Sequence, residues 1–145
     1  MNSGIKLIFW IYFLVLLAIT GFYIQHVFNA EDVISRALGP SIDGGIIHGT
    51  ISSDTGRGGV RLDEARVRQG IVMLMRKNLG LDASLSSDTF RNGRLEIVLT
   101  HNSEGVPRVE AVYSAEIEIG IMRLVGQDGY TIRVPKKTPY LTEYK

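Results

Sequence analysis

The chain has 145 residues, room for one membrane-crossing segment and one small domain, since a domain needs roughly 100 residues to bury a useful core. Its 16 Lys and Arg against 15 Asp and Glu leave a formal charge of +1, which provides no electrostatic basis for binding nucleic acid or a strongly anionic partner. The absence of cysteine excludes disulfides, thiolate zinc sites and thiol catalysis, and three scattered histidines, His26, His48 and His101, offer little to a metal.

After a short segment 1–6, the chain turns apolar. Residues 7–28 carry no formal charge over 22 positions, and at about 1.5 Å rise per residue they cover roughly the 30 Å hydrocarbon thickness of a bilayer. A spanning helix is predicted there. A cleaved secretory signal would have a shorter apolar stretch, a more basic start and small residues at the cut, whereas here the end reads HVFNAED with Phe28 badly placed. A retained anchor is therefore expected. Trp10, Tyr12 and Tyr23 lie toward its ends, where amphipathic rings suit the headgroup layer, and Gln25 and His26 can reach the far interface. Leu7, Trp10, Leu14, Ala18, Gly21 and Phe28 are the residues assigned to the span and its helix packing, with Ala18 and Gly21 small enough to let another helix approach. Lys6 and the terminal amine on the short side, against Glu31, Asp32 and Arg36 after the span, favour a cytoplasmic N-terminus and an extracytoplasmic C-terminal domain.

Residues 29–38 are expected to extend the helix until Gly39 and Pro40 stop it. Residues 39–60 follow as a Gly/Ser-rich connector, with a short strand around 45–51. In residues 61–82, RLDEARVRQGIVMLMRKNLGLD, the positions Val67, Ile71, Val72, Leu74, Met75 and Leu79 share one helical arc. Asp63 and Glu64 suit the positive end of that helix, Arg76 and Lys77 its negative end, and Gly80 a left-handed stop.

Beyond Asn92 the apolar period becomes two. Leu95, Ile97 and Leu99 fall on one face, then Val109, Ala111, Tyr113, Ala115, Ile117, Ile119 and Ile121, then Tyr130, Ile132 and Val134, with Glu110, Glu116 and Glu118 opposite. The prediction is an α+β fold: an N-terminal transmembrane helix, then a domain over 61–135 in which one amphipathic helix packs on an antiparallel sheet of three or four strands. Pro135 and Pro139 are expected to end the sheet and leave 136–145 as an extended tail.

Motifs for chemistry are weak. The DTG at Asp54–Gly56 lacks the apolar strand that would bury a catalytic Asp, being preceded by Ser52 and Ser53 and followed by Arg57, and LVGQDG at 124–129 does not remedy this. GTISSDTGRGG lacks the Gly-Lys-Ser/Thr ending of a phosphate loop. His48 with Asp43 or Asp54, and His101 with Glu104, read as polar neighbours in loops, and the row Glu110, Glu116 and Glu118 as a solvated face that discourages edge pairing. No catalytic, cofactor-binding or metal-ligating set is assigned, and no enzyme activity is expected.

The order of elements, an N-terminal span, the helix DEARVRQGIVMLMRKNLGLD, then GRLEIVLT, AEIEIGIMRLVG and YTIRV, resembles the TadE-like pseudopilins of bacterial tight-adherence pili and their Gram-positive relatives. The resemblance covers most of the chain. It implies a non-enzymatic, single-pass envelope protein of a type IV pilus-like or competence-like assembly. Its partners would be the lipid bilayer, other pilin-like subunits or assembly-platform proteins, and a homo-oligomer or extracellular filament would be its assembled form. Gly4 is then the candidate leader-processing glycine, but the fifth residue beyond it is Phe9 where such prepilins carry a glutamate, which implies a minor or initiating subunit. The alternative is an anchored extracytoplasmic binding or sensing module that does not polymerise.

Overall fold

The computed structural model describes residues 3–51, 61–120, 123, 126, 127 and 129–141. The chain divides into two units, Met1–Ala30 and Glu31–Lys145, so the compact domain begins thirty residues earlier than the expected boundary at Arg61. The elements run α1 (Ser3–Gly49), β1 (Thr50–Ile51), β2 (Arg61–Leu62), α2 (Glu64–Leu79), β3 (Phe90–His101), β4 (Pro107–Ile117) and β5 (Tyr130–Lys137). The fold is α+β, as expected, with three strands in the main sheet and a separate two-residue pairing of β1 with β2.

The largest correction concerns residues 39–49. Gly39 and Pro40 do not end α1: of the supposed linker 39–60, the described residues are helical as far as Gly49 and extended at Thr50 and Ile51, and 52–60 lie outside the described residues. Proline at 40 removes the N–H that would pair with the Arg36 carbonyl, a loss of about 3 kcal/mol in a helix interior. Packing outweighs it. Ile34, Leu38 and Ile42 are completely buried, and each such side chain stabilises by about 1.5–3 kcal/mol. Pro40 and Arg36 are both exposed, so water can solvate the carbonyl that lost its partner.

The glycines have an equally specific use. Ala37, Ser41, Gly45 and Gly49 recur every fourth residue and are all buried, forming a ridge of small residues along α1. Gly70 of α2 faces this ridge: a Cβ added there would lie 3.0 Å from the Gly45 Cα and 3.1 Å from the His48 Cβ. A Cβ on Gly45 would overlap Ile71 Cγ1 and come within 3.0 Å of the Ile71 nitrogen and the Val67 carbonyl oxygen. The two helix backbones thus approach as closely as hydrogen in place of a side chain allows. At the far end of the crossing Asn78 Nδ2 donates to Ser41 Oγ (3.1 Å), whose hydroxyl in turn donates to the Ala37 carbonyl (2.7 Å), so the buried serine is satisfied.

α2 forms within the expected 61–82 stretch but runs only Glu64–Leu79, because Arg61 and Leu62 pair with β1 as strand β2. Asp63 caps it, accepting from the Arg66 N–H, and Gly80 closes it at φ 63° with its N–H donating to the Arg76 carbonyl. Val67, Gly70, Ile71 and Met75 are buried, while Val72, Leu74 and Leu79 are half-buried at the flanks.

The main sheet is an antiparallel meander, β3-β4-β5. Across it, Leu95 pairs with Tyr113 and Tyr113 with Val134, while Ile97 pairs with Ala111 and Ala111 with Lys136. β4 alternates strictly, with Val109, Ala111, Tyr113, Ala115 and Ile117 buried. The apolar face is covered by α2, which contacts β3, and by the 31–49 part of α1, where a Cβ added to Gly39 would lie 3.6 Å from Lys136 Cε on β5. Tyr130 was expected to point inward but is 41% exposed, because it opens β5 at the end of the sheet; Ile121 lies outside the described residues. Pro135 does not end the sheet either. β5 continues to Lys137, since an edge strand leaves one row of N–H groups unpaired and proline can occupy such a position. Nor are the residues after 136 a free tail as far as they are described. Thr138 is buried, its N–H and hydroxyl donating to the Val109 carbonyl and its Oγ1 accepting from the Val109 N–H, and Leu141 is buried beyond it.

Candidate functional site: the exposed apolar part of helix α1

In the first unit the apolar residues assigned to the span are exposed. Leu7 is 63% exposed, Trp10 60%, Leu14 60% and Phe28 66%, with Ala18 and Gly21 also exposed. Burying this surface is worth about 25 cal/mol per Å², so it calls for lipid or other protein. Among the described residues α1 is the one helix long and apolar enough to cross a membrane, by length and composition, and none of its most apolar stretch is buried. Its polar groups suit such surroundings: the Thr20 hydroxyl donates to the Leu16 carbonyl at 2.8 Å, leaving no unpaired O–H. Trp10 and Phe13 meet edge to face, 5.9 Å between centroids.

At 100° per residue the six assigned positions, Leu7, Trp10, Leu14, Ala18, Gly21 and Phe28, share an arc of about 80° on the helix. Gln25 falls within the same arc. Neither Gly4 nor Gly21 has any atom within 4 Å of where a Cβ would stand, so both present bare backbone. Gly4 lies one residue inside the start of α1.

The other polar candidates fall elsewhere. Asp54 and the DTG lie outside the described residues, as do Leu124, Val125 and Asp128 of LVGQDG. Asp43 and His48 are helical rather than in a loop, and five residues apart they point about 140° from one another. His48 instead lies against Gly70. His101 ends β3 and Glu104 sits in the following turn, whose shape comes from Asn102 Oδ1 accepting from the N–H groups of Glu104 and Val106. No cluster of three or more metal-ligating side chains occurs among the described residues.

Each carboxylate of the acidic row on the outer sheet face has a polar or basic partner. Glu118 pairs with both Arg91 and Arg123, Glu110 with Arg108 (3.4 Å) and Lys137 (3.5 Å), and Glu116 accepts from Asn92 Nδ2 (2.9 Å). Arg108 also lies over the Tyr140 ring, 5.3 Å from its centroid, and its buried Nε has no partner among the described residues. Each carboxylate thus has a neighbour to satisfy it, and the row ties the strands together.

Two titrating groups are displaced, both around the loop 82–87. The Asp82 carboxyl is held below the usual carboxylate range by the hydrogen bond from the Ser84 hydroxyl, with the Ser86 N–H adding to it. Burial pushes the Tyr113 hydroxyl up to about 12, helped by the Asp82 charge, while it donates to the Leu85 carbonyl at 2.8 Å. Leu85 itself has φ 60°, held there by this bond and by Gly93, whose missing Cβ would overlap the Leu85 carbonyl. These contacts anchor a loop to the sheet.

Sequence reasoning missed the small-residue ridge and its partner Gly70. The signal was present as the four-residue spacing of Ala37, Ser41, Gly45 and Gly49. Compared with protein-family models, curated proteins and solved structures, the chain matches none.

Proposed function

We propose that the chain is a non-enzymatic, membrane-anchored pseudopilin-like subunit of a type IV pilus-like envelope assembly of the TadE-like kind. Its N-terminus lies in the cytoplasm and its α+β domain outside. The apolar part of α1 holds the subunit in the bilayer, and on assembly it exchanges lipid for the helices of neighbouring subunits or platform proteins. The observation that carries this reading is the division of labour along α1: uncharged and largely exposed from Leu7 to Phe28, yet from Ile34 onward supplying core residues to a sheet domain. The shared arc of Leu7, Leu14, Ala18 and Gly21 supports it, since close helix approach in lipid relies on small residues and van der Waals fit.

Shearing of intact cells tests the proposal. The subunit is expected in the released filament fraction together with other subunits. Recovery only as a discrete monomer or dimer after detergent extraction would contradict assembly and assign the chain to anchored binding or sensing modules.

A further inference from the structure

Two surfaces of the domain, on different helices, complement one another. On α1, Asp43 and Ile47 lie one turn apart on the same side. Ile47 is 76% exposed, the most exposed of the large apolar side chains described in the Glu31–Lys145 unit, and Asp43 is exposed with no ion pair among the described residues. Along α2 and just beyond it, an open groove is lined by Val72, Met73, Leu81, Arg76 and Lys77. Met73 is 54% exposed. Arg68, also in the groove, already binds Glu64 at 2.7 Å, but neither Arg76 nor Lys77 is in an ion pair among the described residues.

We infer that the α2 groove receives the Asp43–Ile47 ridge of a second copy of this chain, with Ile47 against Met73 and Val72 and the Asp43 carboxylate facing Arg76 and Lys77. The occupant follows from complementarity: an apolar knob beside a carboxylate with no ion pair among the described residues matches an apolar floor beside two cations with none, although Arg76 also feels the Asp82 charge. The ridge and the groove are different patches, so the contact is heterologous, the kind that extends into an open array where its rotation does not close. A contact built on so few side chains falls short of what a stable dimer requires in free solution. It becomes effective when the copies are concentrated by a common membrane or filament, because tethering raises the effective concentration of each for the other. The inference therefore rests on the proposed subunit function and adds the contact between domains.

The natural lack of cysteine makes the test clean. Two differently tagged full-length copies, one Ile47→Cys and one Met73→Cys, are co-expressed in cells and oxidised in the membrane; with one thiol per copy, no link can form within a chain. A mixed disulfide dimer is expected, well above the yield of a control pairing Met73→Cys with Val98→Cys on the sheet. Adding Asp43→Lys to the Ile47→Cys copy should lower the yield about ten-fold, since like charges across a contact oppose it. Adding Arg76→Glu and Lys77→Glu to the Met73→Cys copy should then restore it. A mixed yield no greater than the Val98 control, or one indifferent to Asp43→Lys, overturns the inference. Ala18→Cys copies, oxidised in parallel, separate the two ideas: linkage through Ala18 without linkage between 47 and 73 sinks this contact but leaves the subunit reading standing, whereas linkage at neither sinks both.

Discussion

Replacing Gly45 with alanine distinguishes a helix crossing from a linker. In a flexible connector the change would be neutral or stabilising by about 0.4–1 kcal/mol, because alanine lowers the entropy of the unfolded chain. In a packed helix the change gains about 1 kcal/mol of helix propensity. It also places a methyl group into Ile71 Cγ1 and within 3.0 Å of two backbone atoms of α2. Backbone cannot rotate away, so the helices must separate, and overpacking of this kind costs about 1–3 kcal/mol. Separation also loosens the contacts of the Gly70 crossing, which places the cost at the upper end of that range, and the net expectation is destabilisation by about 1–2 kcal/mol. Gly39→Ala is the matched control: its new methyl would sit 3.6 Å from Lys136 Cε, an ordinary contact, so only the helix-propensity gain of about 1 kcal/mol remains. In thermal unfolding of the full-length chain in detergent micelles, followed by near-ultraviolet circular dichroism, the two variants should move in opposite directions. At about 4 °C per kcal/mol for a domain of this size, their midpoints should differ by roughly 8–12 °C. Equal stabilisation by both substitutions would refute the close crossing.

Ile117→Asp should cost more than about 4 kcal/mol, since it leaves an unpaired charge on the covered face of the sheet, whereas Glu116→Ala on the outer face should stay within about 1 kcal/mol; denaturant titration compares them. Because burial raises the Tyr113 hydroxyl from its ordinary value near 10 to about 12, the stability it confers is complete below pH 10 and is lost as pH rises toward 12, when the unfolded chain releases a proton that the folded chain keeps. Tyr113→Phe should flatten that part of the alkaline stability profile and cost about 1 kcal/mol at neutral pH through the lost bond to Leu85. Pro40→Ala should raise stability by about 1–3 kcal/mol by returning an N–H partner to the Arg36 carbonyl; a fall in the unfolding midpoint would mean that the α1 backbone here depends on the ring.

Local rules made α2 and the strands legible. An Asp cap, a Gly stop and an apolar arc placed α2, three residues shorter at each end than the 61–82 stretch, and two-residue alternation placed Val109, Ala111, Tyr113, Ala115 and Ile117 of β4 inward but not the buried Pro107 that opens the strand. The errors came where tertiary packing overrode those rules. Gly39, Pro40, Gly44 and Gly45 are helix breakers by propensity, and reading them so hid the second half of α1. The helix persists because Ile34, Leu38 and Ile42 bury fully and because Gly45 permits the approach of Gly70. Pro135 misled for a similar reason, since its tolerance depends on β5 lying at a sheet edge, a property of the assembled sheet. For the candidate site, the identity of the apolar stretch was plain in the sequence. The α2 groove and the Asp43–Ile47 ridge were not, because the ridge exists only if residues 39–49 are helical.

The central claim is that residues 5–28 stay in the working protein and remain shielded from water by lipid or by other helices. Intact-mass measurement of the native protein, taken from the sheared filament, carbonate-washed membrane and soluble fractions of the same cells, tests it most directly. The account predicts a species containing residues 5–28 in the filament and membrane fractions and none in the soluble one. A freely soluble native product starting near Glu31 would contradict it.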